Sequence, residues 1–310
     1  MVGDQCRNAY DLRPASFGLH LVPTPIRAEL YARWHQIRIV TLALSTFGAA
    51  VTLPTFENLQ SWICDSDRPI EIQDFVYPDV IAGDCSDLIA KYQTALAPHK
   101  GHRGIHGPFF GLDLANPDRA IREVIQQRFL KGLEIAEALC ATHMVIHSPF
   151  TYWHVLNQRN YPDIKPSMFS AAADCLAPVL KRAASTGCVL MLENIDDTDP
   201  ATRVELVAEI NHPNLKVSID TGHADLAHGR YTAPPVTDFI AAAAGHLGHV
   251  HLQDVDGYAD RHWHPGEGRI NWSPLLKTIA ALEESPHLIL EVHRHTDALP
   301  KTVEWLESLI

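Results

Sequence analysis

The sequence predicts an α/β fold, a closed (β/α)8 TIM barrel carrying a short N-terminal extension. From residue 38 onward, eight short β-branched or apolar runs alternate with stretches of helical period. Such alternation builds a parallel sheet, and eight strands close one within about 250 residues. No G-x-G-x-x-G follows any of the runs, so the main signature of the rival open, doubly wound sheet is missing. Residues 1–36 precede the first run and read as an arm; the barrel is assigned to 37–310.

The first strand is expected over 38–47, the longest early apolar run, followed by a helix over 54–63. The second strand is expected over 70–76 with a helix over 86–96, and the third over 104–108. The next helix, 119–140, has the clearest period, with Ile121, Val124, Ile125, Phe129, Leu133 and Ala136 on one stripe. Strands at 143–148, 189–194, 215–220, 248–253 and 287–292 complete the eight, separated by helices at 169–184, 203–210, 236–244 and 273–282. The segment 150–168 is long for a βα loop and aromatic, with Tyr152, Trp153, His154 and Tyr161, as in loops that close over a ligand. Pro265 to Gly268 reads as a turn, with Glu267 structural.

Composition narrows the class. A net charge of −12 argues against a broad electropositive nucleic-acid surface, and no apolar run reaches the roughly 18 residues of a membrane span. Asp4, Arg7, Asp11 and Arg13 interrupt any signal-peptide core, so a cytoplasmic location is the expectation. Six scattered cysteines without a C-x-x-C pair are expected to be reduced and mostly buried. Oligomeric state is left open, with a homo-oligomer compatible.

The chemistry lies where the strands end. His106 and His147 close the third and fourth strands, Glu193 the fifth, and Asp220 the sixth with His223 just beyond. The seventh carries His249, His251 and Asp254, with Asp260 and His262 in its loop; the eighth ends on Glu291 and His293. Barrel enzymes place their active sites at this face. Carboxylates crowded into one mouth repel unless a cation holds them, and mixed imidazole and carboxylate donors suit Zn, Mn, Fe or Co. His249, two residues before His251 on the same face, lies one layer deeper and is not counted as a ligand.

The strings LENI, SIDTGHA, HVHLQDVDG, ADRHWHPGEGRINW and LILEVHR resemble the xylose-isomerase-like barrel superfamily, which holds sugar (phosphate) isomerases and epimerases and the endonuclease IV family. The resemblance runs from about residue 38 to 295, with the strand-end motifs in the expected order. It implies a metal site of Glu193, Asp220, His251 and Glu291, with Glu193 and Glu291 also as the catalytic base/acid pair. The endonuclease IV pattern implies a larger, trinuclear site: His106 and His147 on the first ion, Glu193 bridging to the second, and His223, Asp260 and His262 on a third. The cofactor is therefore expected to be Zn or Mn, up to three ions.

The resemblance implies first a metal-dependent isomerase or epimerase acting on a small sugar, sugar phosphate or related polyhydroxy carbonyl compound, by proton transfer through an enediolate. The alternative is a trinuclear-zinc hydrolase. A DNA substrate is disfavoured, because the loop at 77–87, where endonuclease IV presents basic residues, holds Asp79, Asp84 and Asp87 and no base. Tyr152, Trp153, Arg261 and His293 are the expected substrate contacts.

Overall fold

Strands β1 (Phe47–Val51), β2 (Ile70–Ile72), β3 (Arg103–His106), β4 (His143–His147), β5 (Val189–Glu193), β6 (Leu215–Asp220), β7 (Leu247–Leu252) and β8 (His287–Leu290) pair in sequence order. The ring closes where Phe47, Gly48 and Ala49 meet Leu288, Ile289 and Leu290 in parallel register. This computed structural model describes residues 45–310, and the expected arm with its boundary at 36 lies outside them. The expected strand at 38–47 lies mostly outside them too; the first barrel strand is the later, small-residue run FGAAV. The other seven strands stand where expected, ending up to four residues short.

Alternation along each strand sorts the side chains into two environments. Ile70, Ile72, Ile105, Met144, Ile146, Leu190, Leu192, Val217, Ile219, Val250, Leu252, Leu288 and Leu290 belong to the buried apolar core. That core includes one side of α4 (Arg119–Ala138), through Ile125, Phe129 and Leu133, and one side of α6 (Ile164–Thr186), through Phe169, Leu176 and Val179. Each fully buried side chain of this size contributes on the order of 1.5–3 kcal/mol relative to exposure. The alternate positions, among them Glu71, His106, His143, Glu193, Ser218, Asp220, His249 and His251, are therefore polar residues inside the barrel, and all are buried.

Local chemistry sets the helix limits. Asp118 caps α4 by accepting from the Ala120 amide at 2.8 Å, and Asp199 caps α7 (Pro200–Ile210) by accepting from Ala201 at 3.0 Å, with Pro200 in the first turn. α6 stops at Gly187, whose φ of 74° only glycine adopts freely. The remaining helices are α1 (Leu53–Cys64), α2 (Pro78–Ala82), α3 (Ser86–Ala95), α5 (Tyr152–Asn157), α8 (Thr221–Tyr231), α9 (Val236–Ala242), α10 (Trp272–Ala280) and α11 (Leu299–Glu307). Of these, α2, α5, α8 and α11 were not expected, and α5 breaks the supposed long loop after β4. Cys85, Cys175 and Cys188 are buried free thiols, whereas Cys64 is half-buried and Cys140 exposed. No helix among the described residues is long and apolar enough to cross a membrane.

Closure leaves no space at Gly48: a Cβ there would lie 2.1 Å from the Pro69 carbonyl oxygen. Gly48→Ala is expected to cost about 1–3 kcal/mol by overpacking at the seam, read as a lower thermal midpoint. An unchanged midpoint would contradict the close approach of β1 to the chain entering β2.

Candidate metal centre

The upper ends of the strands deliver three adjoining donor clusters, and a fourth, His262, Glu291 and His293, overlaps the last two. His106, His147 and Glu193 form one; Glu193, Asp220, His251 and Glu291 the next; His223, Asp260 and His262 the third. Within each, one ligating atom per residue lies within 4.8 Å of the others. Glu193 joins the first two. Its Oε1 is 2.6 Å from His251 Nδ1, while its Oε2 faces His106 Nε2 and His147 Nε2, each at 3.6 Å, and has no hydrogen-bond partner.

The backbone chooses which nitrogen each histidine presents. Nδ1 of His106, His223 and His262 lies 2.9, 2.9 and 3.1 Å from the carbonyl oxygens of Gly107, Asn194 and Glu291. Only a ring N–H can satisfy a carbonyl, so Nδ1 donates and Nε2 is turned toward the mouth, able to offer a lone pair when its own proton is lost. His251 is oriented the other way: its Nε2 meets Glu71 Oε1 at 2.9 Å, so Nδ1 faces Glu193 and, at 3.5 Å, Glu291 Oε2.

Amides hold the carboxylates. Gln73 donates to both Glu71 and Glu291, at 3.0 Å each. Gln253 donates to Asp220 Oδ1 at 3.2 Å and to Asp260 Oδ1 at 3.0 Å, and accepts from the His262 amide at 3.1 Å. Asp220 also caps α8, accepting from the His223 amide at 2.6 Å, which fixes His223 one turn beyond it. His262 has φ of 47°, an unfavourable conformation for a side-chain-bearing residue that points its ring at Asp260.

Proton affinities follow from this crowding. Burial disfavours a charged His251, yet the carboxylates of Glu291, Glu71 and Glu193 outweigh it and hold the ring well above the usual imidazole range. Burial likewise loses to Asp220 and Asp260 at His223, which is also held well above it, and to Asp260 and Glu291 at His262, raised to about 9. His106 is raised, with burial outweighed by Glu193 and Glu71. His147 goes the other way, pushed down to about 3 by burial against the opposing pull of Glu193. Burial, with the charges of Glu193 and Glu291, lifts Asp220 to about 6.

A cavity of about 640 Å³ opens above these donors. All nine expected ligands belong to the three clusters, and His293 lines the cavity, stacked on His262 at 3.9 Å between ring centres. The other expected substrate residues stand outside its lining. Tyr152 stacks on Tyr231, Trp153 packs beside Tyr161, and Arg261 is bound to Asp256 at 2.7 Å and lies over Trp263. Tyr77, Phe109 and Phe110, from the loops after β2 and β3, form the aromatic wall instead. Glu71, Gln73 and Gln253 were missed as well. The signal for the first two was the polar alternation Ile70-Glu71-Ile72-Gln73, which marks an inner face that is not apolar.

Comparison with known proteins agrees with this architecture. Residues 70–309 match the family model described as xylose isomerase-like TIM barrel. An uncharacterized protein of Methanocaldococcus jannaschii is 26% identical over 212 residues, covering 66% of this chain and 69% of its own length. The D-psicose 3-epimerase of Ruminiclostridium cellulolyticum is 22% identical over 192 residues, covering 60% of this chain, which thus spans 61% of that enzyme. The TTHB071 protein of Thermus thermophilus, in a structure soaked with zinc chloride, superposes with a TM-score of 0.65 at 25% identity, over 86% of this chain and 98% of its own.

Gln253 touches the carboxylates of two clusters, so Gln253→Ala is expected to weaken metal binding about 10–100-fold, measured by titration of the stripped protein. Asp220→Asn is expected to lower bound metal further, since it removes a charged donor. Wild-type affinity in both variants would remove these residues from the centre.

Proposed function

Because the chain belongs to the xylose isomerase-like TIM barrel family, we propose that it is a divalent-metal-dependent isomerase or epimerase of a small polyhydroxy carbonyl compound, an unphosphorylated sugar in first place. The observation that carries this reading is the placement of Glu193 and Glu291. They come from β5 and from the end of β8, and both approach His251 Nδ1, at 2.6 and 3.5 Å. Two carboxylates that reach one buried point from different strands suit the removal of a proton on one side of a carbon and its return on the other.

The donors fit a cation. Glu193 Oε2 is buried without a hydrogen-bond partner, and three carboxylates and an imidazole converge at the central cluster. Zn or Mn would be held by Glu193, Asp220, His251 and Glu291, and the chemistry such an ion supplies when bound is polarisation of a substrate carbonyl. One glutamate takes the proton from the carbon beside that carbonyl, leaving an enediolate. The other glutamate, which must enter the step protonated, gives its proton to the opposite face, which inverts the centre; delivery to the neighbouring carbon, with a hydroxyl proton shifted between the two oxygens, interconverts aldose and ketose. His251, fixed by Glu71, brings both carboxylates to one ring nitrogen. Tyr77, Phe109, Phe110 and His293 line the cavity beside them.

The substrate class follows from the lining. Among the described residues that line the cavity there is no Lys or Arg, so a phosphate group would meet no ammonium or guanidinium there. A volume of about 640 Å³ is in the range of small-molecule sites. The similarity to a D-psicose 3-epimerase, a sugar enzyme, supports the same class.

A second reading, a trinuclear hydrolase, is favoured by one observation: the flanking clusters His106–His147 and His223–Asp260–His262 adjoin the central one, and one ion alone needs neither. In that reading Glu193 would contribute to holding two ions, and the substrate would be a small phosphodiester.

Mn- or Zn-loaded protein incubated with ketohexoses in deuterated water is expected to incorporate deuterium at the carbon next to the carbonyl. Glu193→Gln and Glu291→Gln are each expected to lower that turnover roughly 10²–10⁴-fold with the fold intact. Retained turnover at wild-type metal loading would remove the pair from the mechanism. Hydrolysis of a model phosphodiester without carbon-bound exchange would promote the second reading.

A further inference from the structure

Below the mouth, a separate donor cluster lies wholly inside the barrel. Glu71 on β2, His143 on β4 and His249 on β7 are fully buried, and each places one ligating atom within 4.8 Å of the others. None of the three is among the nine mouth donors. The outward-facing atoms of the group are occupied: Glu71 Oε1 accepts from Gln73 and His251, His249 Nδ1 meets Ser218 Oγ at 2.9 Å, and His143 Nδ1 lies 3.3 Å from Thr142 Oγ1. The remaining three atoms, Glu71 Oε2, His143 Nε2 and His249 Nε2, have no hydrogen-bond partner among the described residues.

Three orphaned polar atoms in one place are unusual. Each unmade bond of a buried group costs on the order of 1–3 kcal/mol, and more where the group is charged. Glu71 Oε2 and His249 Nε2 stand 3.2 Å apart without the alignment of a hydrogen bond. Two donors at about 2.0–2.1 Å from a tetrahedral zinc are separated by about 3.3 Å, so that spacing fits shared coordination as well as a direct imidazole–carboxylate contact. The space is kept open by glycine. Gly104 pairs with Glu71 on one side and His143 on the other, and a Cβ there would lie 2.0 Å from His143 Nε2. Beneath, His287 stacks on His143 at 4.4 Å, and His102 packs against His287 at 5.2 Å.

We propose that Glu71, His143 and His249 form a second cation site within the barrel, distinct from the mouth, that takes one zinc-like divalent ion through two imidazoles and a carboxylate. Glu71 then serves both levels. Its Oε2 holds the interior ion while its Oε1 fixes the ring of His251, so the interior ion locks the carboxylate that orients a mouth donor. The site does not depend on which substrate the mouth accepts.

The test uses the full chain stripped with chelator, reloaded with zinc chloride and freed of excess. His143→Ala is expected to bind about one zinc fewer per chain than wild type. Diffraction from zinc-loaded wild-type crystals at the zinc edge is expected to place an anomalous peak among the three orphaned atoms, and this arm decides the matter if His143→Ala does not fold. Equal zinc content in the variant and wild type, or a peak at that point without anomalous signal, as from a buried water, would overturn the proposal.

Discussion

Charge balance in the barrel mouth is the constraint on which the rest of this structure depends. Parallel strands all end at the same face, so each acidic residue at a strand end is brought against the others. Glu193, Asp220 and Glu291 meet there, with Glu71 directly beneath, all four buried. Carboxylates removed from water repel strongly and are expensive to desolvate. Without a cation, protons on His251, His106, His223 and His262 carry the balance, which is why each of those rings is raised in affinity against the pull of burial. A divalent ion relieves the same repulsion and needs those imidazoles neutral. Protons and metal therefore compete for one constellation.

The supporting residues make sense in that light. Gln73 and Gln253 contribute no charge, but each ties two carboxylates together, so the acids hold their positions in either state. Main-chain carbonyls select the tautomer of three histidines, and Glu71 selects that of the fourth. The barrel interior is consequently layered. A mouth level of ligands rests on a level containing Glu71, Ser218, His143 and His249, where Gly104 supplies the room that a larger side chain would fill. An apolar shell of isoleucine, leucine and valine on the outer faces of the strands holds this polar interior in place.

Much of this was legible in the chain. The strand 215–220 is read correctly to the residue because its apolar alternation stops at a helix-capping Asp. The nine residues expected as ligands come together because each sits at a strand end or just past one, where topology alone brings it to the mouth. Other features were hidden for physical reasons. β1 consists mainly of Gly and Ala, so the stronger apolar run at 38–47 drew the assignment earlier than FGAAV. Helix α8 starts inside the SIDTGHA string and has almost no amphipathic stripe, so its residues read as a motif and not as a helix. Arg261 looked available from sequence; its partner Asp256 lies five residues back, and only the folded loop joins them. Glu71 and Gln73 showed as polar breaks in a strand, but their partners His251 and Glu291 are some 180 and 218 residues away in the chain, a pairing that periodicity does not encode.

The proposed function rests on one claim: the mouth is balanced by protons until a cation replaces them. Proton release on metal binding tests it most directly. Stripped protein in weakly buffered solution at about pH 7.5 is titrated with zinc or manganese while the released acid is followed. The account expects about two or more protons per chain to be expelled as the mouth fills, because His251 and His223 give up protons to become ligands. Metal binding with no proton release would contradict it, since the imidazoles would then have been neutral all along and the buried carboxylates balanced by something else.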